Sequence, residues 1–200
     1  ISAHARAAWQ LNPQVDTIIE IGGQDAKFTT LKNGSVTSST MNNVCAAGTG
    51  SFIEEQAARL GCAVEEYADR AEGVMAPLAS DRCTVFMERD INHLLSEGFS
   101  VNEVLASALH SVRENYLMKV ACENNIGDVI LFQGATAKNR ALVAAFEQRL
   151  QKPILVSKYC HLTGALGAAL IVKEELKKAS SLFKGFSLCE SEIPVSSEIC

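Results

Sequence analysis

Thr17-Ile18-Ile19-Glu20-Ile21-Gly22-Gly23-Gln24-Asp25-Ala26-Lys27-Phe28 carries an apolar strand straight into two glycines and then into amide and carboxylate side chains. Glycines lack Cβ, so their backbone N–H groups can approach a phosphate closely. Gln24 and Asp25 then stand at the strand end, where Asp25 can hold Mg²⁺ through water or orient an attacking water. A plain hairpin corner with an exposed acid is the competing reading of a lone Gly-Gly-x-Asp.

Working outward, Ala26–Lys32 and Ser35–Met41 are rich in β-branched residues and flank Asn33-Gly34, a strong hairpin signal, so three antiparallel strands are expected. Upstream, the Ala-rich stretch Ile1–Leu11 predicts a short helix ended by Asn12-Pro13. His4 within it reads as a surface or packing residue. Downstream, the small residues Ala46–Gly50 (Ala-Ala-Gly-Thr-Gly) lead into a helix that Gly61 ends. Glycines before a helix N-terminus make an anion site, with a simple packing turn as the alternative.

A polar-faced helix is expected over Val64–Met75, another between Cys83 and Leu95, and a long amphipathic one over Val101–Glu123. Asp128–Phe132 has the continuous apolar character of a buried parallel strand. Gly134–Asn139 then turns into a helix over Arg140–Leu150, Pro153–Val156 gives another short strand, and Thr163-Gly164 opens the last helix. Strand, glycine turn, helix, repeated after three antiparallel strands, predicts an α/β fold: a mixed sheet with helices on both faces. From Ala179 the chain turns to Ser, Lys and Glu and loses periodicity.

Composition narrows the function. The 200 residues are 48% hydrophobic with a formal charge of −5, and no cluster of Lys and Arg offers a basic face for nucleic acid. No apolar run approaches a transmembrane length and no signal-peptide pattern opens the chain, so a cytoplasmic protein without membrane or nucleic-acid partners is expected. Seven cysteines, an odd number in a chain of this size, suggest reduced thiols or metal ligands rather than a disulfide framework. The chain opens on Ile1 and closes on Cys200, which suggests an excerpt of something longer.

The order of Ile21-Gly22-Gly23-Gln24-Asp25-Ala26-Lys27, Asn42–Gly50, Cys83-Thr84-Val85-Phe86 and Gly134–Asn139 closely resembles the activator ATPases of 2-hydroxyacyl-CoA dehydratases and the ATPase subunits of benzoyl-CoA reductase. Those proteins belong to the acetate and sugar kinase, Hsc70 and actin superfamily. The resemblance implies a ribonuclease H-like, actin-like ATPase fold, with residues 1–178 as the C-terminal portion of that domain and 179–200 as a linker to a further module. The superfamily's first phosphate loop has no match here, so this stretch alone is expected to hydrolyse ATP poorly.

Carried over residue by residue, the resemblance makes Gly22, Gly23, Gln24 and Asp25 the second phosphate loop, with Gln24 and Asp25 catalytic. It places Gly48, Thr49 and Gly50 on the cleft for ATP or ADP with Mg²⁺, and likens Gly134 and Asn139 to the adenosine motif, although Gln133-Gly134-Ala135 departs from the usual double glycine. Gly134→Val is accordingly expected to weaken nucleotide binding with little loss of fold. Cys45 and Cys83 match the two cysteines that each subunit contributes to one 4Fe-4S cluster shared across a homodimer, since four thiolates from two per chain require a two-fold axis. Cys62, Cys122 and Cys160 stay buried structural thiols. The implied function is ATP-driven transfer of a low-potential electron from that cluster to a CoA-ester dehydratase or reductase component, with ferredoxin or flavodoxin as donor. A sugar- or acetate-kinase-like phosphotransferase and a non-catalytic nucleotide-binding dimerisation module are the alternatives.

Overall fold

In the computed structural model, described over residues 1–42, 46–121 and 126–176, five strands form one sheet in the order β3-β2-β1-β4-β5. β1 (Thr17–Ile21), β2 (Ala26–Lys32) and β3 (Ser35–Met41) are antiparallel neighbours, whereas β4 (Ile130–Gln133) pairs parallel with β1, and β5 (Ile154–Val156) parallel with β4. The hairpin between β2 and β3 turns on Asn33 at φ 52° and Gly34 at φ 77°, the paired positive φ values that a two-residue turn matched to strand twist requires. The mixed sheet expected from the sequence is therefore present.

The period-2 alternation of the strands divides the core into two layers. Ile18, Leu31 and Leu131 face helix α1 (Ser2–Leu11), which lies against α7 (Thr163–Leu176). Ile19, Ile21, Phe28, Ile130 and Phe132 face the opposite way, into the larger cluster. Its centre is α5 (Val101–Tyr116), whose Val104, Leu105, Ala108, Val112 and Tyr116 recur at helical spacing and are buried. Around it stand α2 (Gly50–Arg59), α3 (Val64–Ala71), α4 (Thr84–Ser96) and α6 (Arg140–Leu150). Phe146 of α6 stacks edge-on against both Tyr116 and Phe132, with ring centroids 5.6 and 5.5 Å away.

Two helices end earlier than their periodicity suggests. α3 stops at Ala71 rather than Met75 because Glu72 is already extended and Gly73 takes φ 73°. α5 begins at a Ser100–Glu103 capping box and gives way after Tyr116 to a π-helical turn over Leu117–Ala121. Thr40 of β3 donates its hydroxyl to the Val120 carbonyl at 2.5 Å within that turn. No helix among the described residues is long and apolar enough to cross a membrane.

Candidate functional site

Three glycine-bearing segments meet at the ends of β1 and β4. The first is the turn 22–25, closed by Gly22 N–H donating to the Asp25 carbonyl at 2.8 Å. The second is the start of α2, where Gly50 N–H donates to Gly22 O at 2.8 Å and Ser51 N–H to Gly23 O at 2.7 Å. Two first-turn amides expected to await an anion are thus already occupied by the neighbouring turn. They lock α2 onto β1 instead of standing open. The third is Gly134 with the 3₁₀ turn Ala135–Lys138 that it caps, where Thr136 donates its hydroxyl to Ile21 O at 2.7 Å.

Between these segments and α3 lies a cavity of about 500 Å³, of the size that takes a small-molecule ligand. Gly23 and Gly50 line its floor, Ile53, Val64, Ala68 and Ala135 its apolar walls, and Thr136, Asn139, Lys138, Glu54 and Glu65 its polar groups. Arg140, the first residue of α6, pairs with Asp69 and Glu72 at the end of α3, tying the start of α6 to the helix that supplies Val64, Glu65 and Ala68 to the lining. A second hollow of about 530 Å³ lies among alanines of α3, α5 and α6, including Ala71, Ala106 and Ala141, and contains none of the three turns.

The sequence-derived residues fare unequally. Gly23, Gly50 and Asn139 line the cavity. Asn139 also accepts from Leu142 N–H at 3.1 Å as the N-cap of α6, so its carbonyl oxygen has a structural duty. Gln24 and Asp25 are exposed on the turn and stand outside the lining. Gly22 closes the turn through its N–H and holds the start of α2 through its carbonyl. Gly48 and Thr49 are buried, and a Cβ on Gly48 would stand 3.1 Å from the Asn115 Oδ1 of α5, so both belong to the packing beneath the site.

Gly134 requires a correction. It holds φ 99°, and a Cβ there would lie 2.1 Å from the Ile21 carbonyl oxygen. Valine at 134 would break the β1–β4 junction, so the expectation of little loss of fold does not hold.

Of the two candidate cluster ligands, Cys45 lies outside the described residues. Cys83 is a free, half-buried thiol at the N-cap of α4, beside the exposed side chains of Val85 and Phe86. The turn Ala46–Gly48 packs against α4. Cys62 and Cys160 are buried, as expected of structural thiols. Cys122 lies outside the described residues. Among the described residues no three His, Cys, Asp or Glu side chains converge on one point, so no metal site is complete within this part of one chain.

Sequence reasoning passed over Lys138, Glu54 and Glu65, because nothing local marks a charged residue as facing a cavity formed by three distant segments. It also set His4 aside and gave Glu20 no role. Glu20 is buried on the α1 side of the sheet, 3.0 Å from His4 Nδ1 and 3.1 Å from Lys27 Nζ. Burial alone would raise its carboxyl. The hydrogen bond and charge of His4, followed by those of Lys27, outweigh burial and hold the pKa at about 2. A lone acid within the apolar run of β1 was the available signal.

Residues 1–172 match the model of the BadF/BadG/BcrA/BcrD ATPase family. The chain is 37% identical over 181 residues to the activator of lactoyl-CoA dehydratase from Anaerotignum propionicum, covering 89% of this chain and 69% of that protein. Among solved structures it resembles component A of the (R)-2-hydroxyglutaryl-CoA dehydratase of Acidaminococcus fermentans, with TM-score 0.83 and 34% identity over 88% of this chain and 68% of the other. It is also similar to the activator of 2-hydroxyisocaproyl-CoA dehydratase from Clostridium difficile with bound ADPNP, with TM-score 0.82 and 33% identity over 94% of this chain and 70% of that one.

Proposed function

The chain belongs to the BadF/BadG/BcrA/BcrD ATPase family, and from that premise we propose that it is the nucleotide-binding portion of an ATP-dependent reductive activator. Such a protein couples ATP hydrolysis to delivery of a low-potential electron to a CoA-ester dehydratase or reductase. The observation that carries this reading is the cavity of about 500 Å³ at the carboxyl ends of β1 and β4, framed by the turn 22–25 and the turn Ala135–Lys138. Ligands of α/β sheets settle outside strand carboxyl ends.

Each side chain has a task in this arrangement. Ile53, Val64 and Ala135 give a base its apolar surface, and Glu54 and Glu65 offer acceptors to hydroxyls of a sugar. Lys138 brings a positive charge to the same rim. Gln24 and Asp25, exposed on the adjoining turn, are free to meet a polyphosphate with Mg²⁺, Asp25 through the metal's waters and Gln24 as an amide donor.

The donor set also suits a shared iron–sulfur centre. Cys83 is a free thiol at the N-cap of α4, next to exposed apolar side chains. Cys45 and Cys83 from each of two copies would supply four thiolates to one 4Fe-4S cluster, making the active form a homodimer. When bound, the cluster supplies one-electron chemistry. A ferredoxin or flavodoxin would serve as its donor, and the dehydratase or reductase component as its acceptor.

Calorimetric titration of the chain with MgADP tests the nucleotide reading. Saturable binding at one site per chain, weakened in Lys138→Ala with unchanged thermal stability, is the expected result. Absence of saturable binding at millimolar MgADP overturns it.

A further inference from the structure

A polar network lies behind the turn 22–25, on the sheet face opposite the larger core cluster. The Glu20 carboxylate at its centre is only 7% exposed, and both oxygens are engaged. Oε1 accepts from Lys27 Nζ at 3.1 Å, while Oε2 lies 3.0 Å from His4 Nδ1 and 3.3 Å from Gln133 Nε2. Gln133 Nε2 is also 2.8 Å from His4 Nδ1, and Thr163 Oγ1 is 3.4 Å from the same nitrogen. One imidazole on α1 therefore touches the ends of β1 and β4 and the first residue of α7.

The seat of that imidazole is fixed by α7. A Cβ on Gly164 would stand 2.8 Å from His4 Nε2, and one on Gly167 would overlap the Ala3 carbonyl oxygen at 1.6 Å. α1 and α7 thus lie in backbone contact. From this pair, two routes reach the cavity. Glu20 stands two residues before Gly22, and Gln133 immediately precedes Gly134. On the second route the Cys160 carbonyl accepts both from Thr163 Oγ1 at 3.3 Å and from Gly134 N–H at 2.9 Å.

We infer that His4 is a positioning residue, which through Glu20 and Gln133 couples the placement of the α1–α7 pair to the separation of the two glycine turns that frame the cavity. The consequence for nucleotide binding rests on the function proposed above, whereas the coupling is a property of the chain without ligand. Hydrogen bonds to a buried charge are worth more than neutral ones, and removing His4 leaves Oε2 only the longer 3.3 Å bond from Gln133 Nε2. The fully buried Gln133 Oε1 has no partner. The network therefore has an acceptor in reserve, and rotating the amide by half a turn exchanges which of its ends meets His4.

Amide hydrogen exchange on the ligand-free chain tests the coupling. The quantity read is the exchange rate at Gly22, Gly50 and Gly134 relative to that at the paired amides of β2 and β3 in the same sample. A general loss of stability speeds the sheet amides at least as much and cannot raise this ratio. His4→Leu is expected to raise it about tenfold, as loss of a hydrogen bond to a charged group implies. His4→Asn, whose amide reaches the position of Nδ1, should hold it within about twofold of the wild type. An unchanged ratio in His4→Leu overturns the inference, even where the amides of α1 and α7 exchange faster. Should His4→Leu fail to fold, His4→Ala, which removes the imidazole and suits a helix, is read the same way, with the same rise expected and no rise overturning the inference. MgADP titration of the wild-type chain judges the nucleotide reading separately.

Discussion

The Ile21 carbonyl oxygen occupies the space beside Gly134 so closely that a Cβ there would stand 2.1 Å away. The strands that lead into the turn 22–25 and the 3₁₀ turn Ala135–Lys138 are thereby in backbone contact, with no slack at that point.

Gly134→Ala should consequently act on the fold. A left-handed φ of 99° strains any residue with a Cβ, and the clash adds to it, for a loss of roughly 3 kcal/mol or more. Chemical denaturation measures this. Wild-type stability with weakened MgADP binding would restore the purely ligand-facing role that the sequence suggested.

Glu20 predicts an acid-sensitive fold. Its carboxyl sits at about 2 when folded, against the ordinary 4.5 of an unfolded glutamate. A depressed folded pKa means stabilisation that is fully present above about 4.5 and is lost as pH falls through about 2. The loss is of the order of 3 kcal/mol, since each pKa unit corresponds to about 1.4 kcal/mol. Denaturant midpoints of Glu20→Gln should be flatter than the wild type between pH 4.5 and 2. Equal slopes would show that the carboxylate carries no such share.

Asn139→Ala separates capping from ligand contact. Losing the 3.1 Å bond to Leu142 N–H should lower stability by about 1 kcal/mol. If Asn139 also contacts the nucleoside, MgADP affinity should fall more than in a control such as Ser100→Ala, which removes the α5 cap outside the cavity lining.

Asp25→Ala, made in a protein that includes the first phosphate loop, should reduce ATP turnover by about 10² to 10⁴ while leaving thermal stability unchanged, because the side chain is exposed. Turnover within a factor of two of the wild type would remove Asp25 from the chemistry.

Cys83→Ser and Cys45→Ser should each abolish iron and sulfide binding after anaerobic reconstitution, since one lost ligand per chain removes two of four thiolates. Cys62→Ser and Cys160→Ser, which alter buried structural thiols, should keep the metal content. Near-normal iron in either of the first pair contradicts the assignment.

The strands of the sheet, the Asn33-Gly34 turn, the helix starts at Gly50 and Arg140 and the candidate glycines were all legible in the sequence, because strand alternation, helical period and turn chemistry are local properties. Tertiary structure decided the rest. Glu20 and Gln133 meet across 113 residues and Gln133 and His4 across 129, contacts made only when β4 inserts beside β1 and α1 closes over both. The same closure set Gly134 hard against Ile21, placed Gly48 and Thr49 in the packing, and brought Lys138, Glu54 and Glu65 to the cavity. Local propensity determines which backbone groups a segment can offer. Which of them stay open to a ligand depends on whether a distant part of the chain has already filled them, as Gly22 and Gly23 do for the first amides of α2.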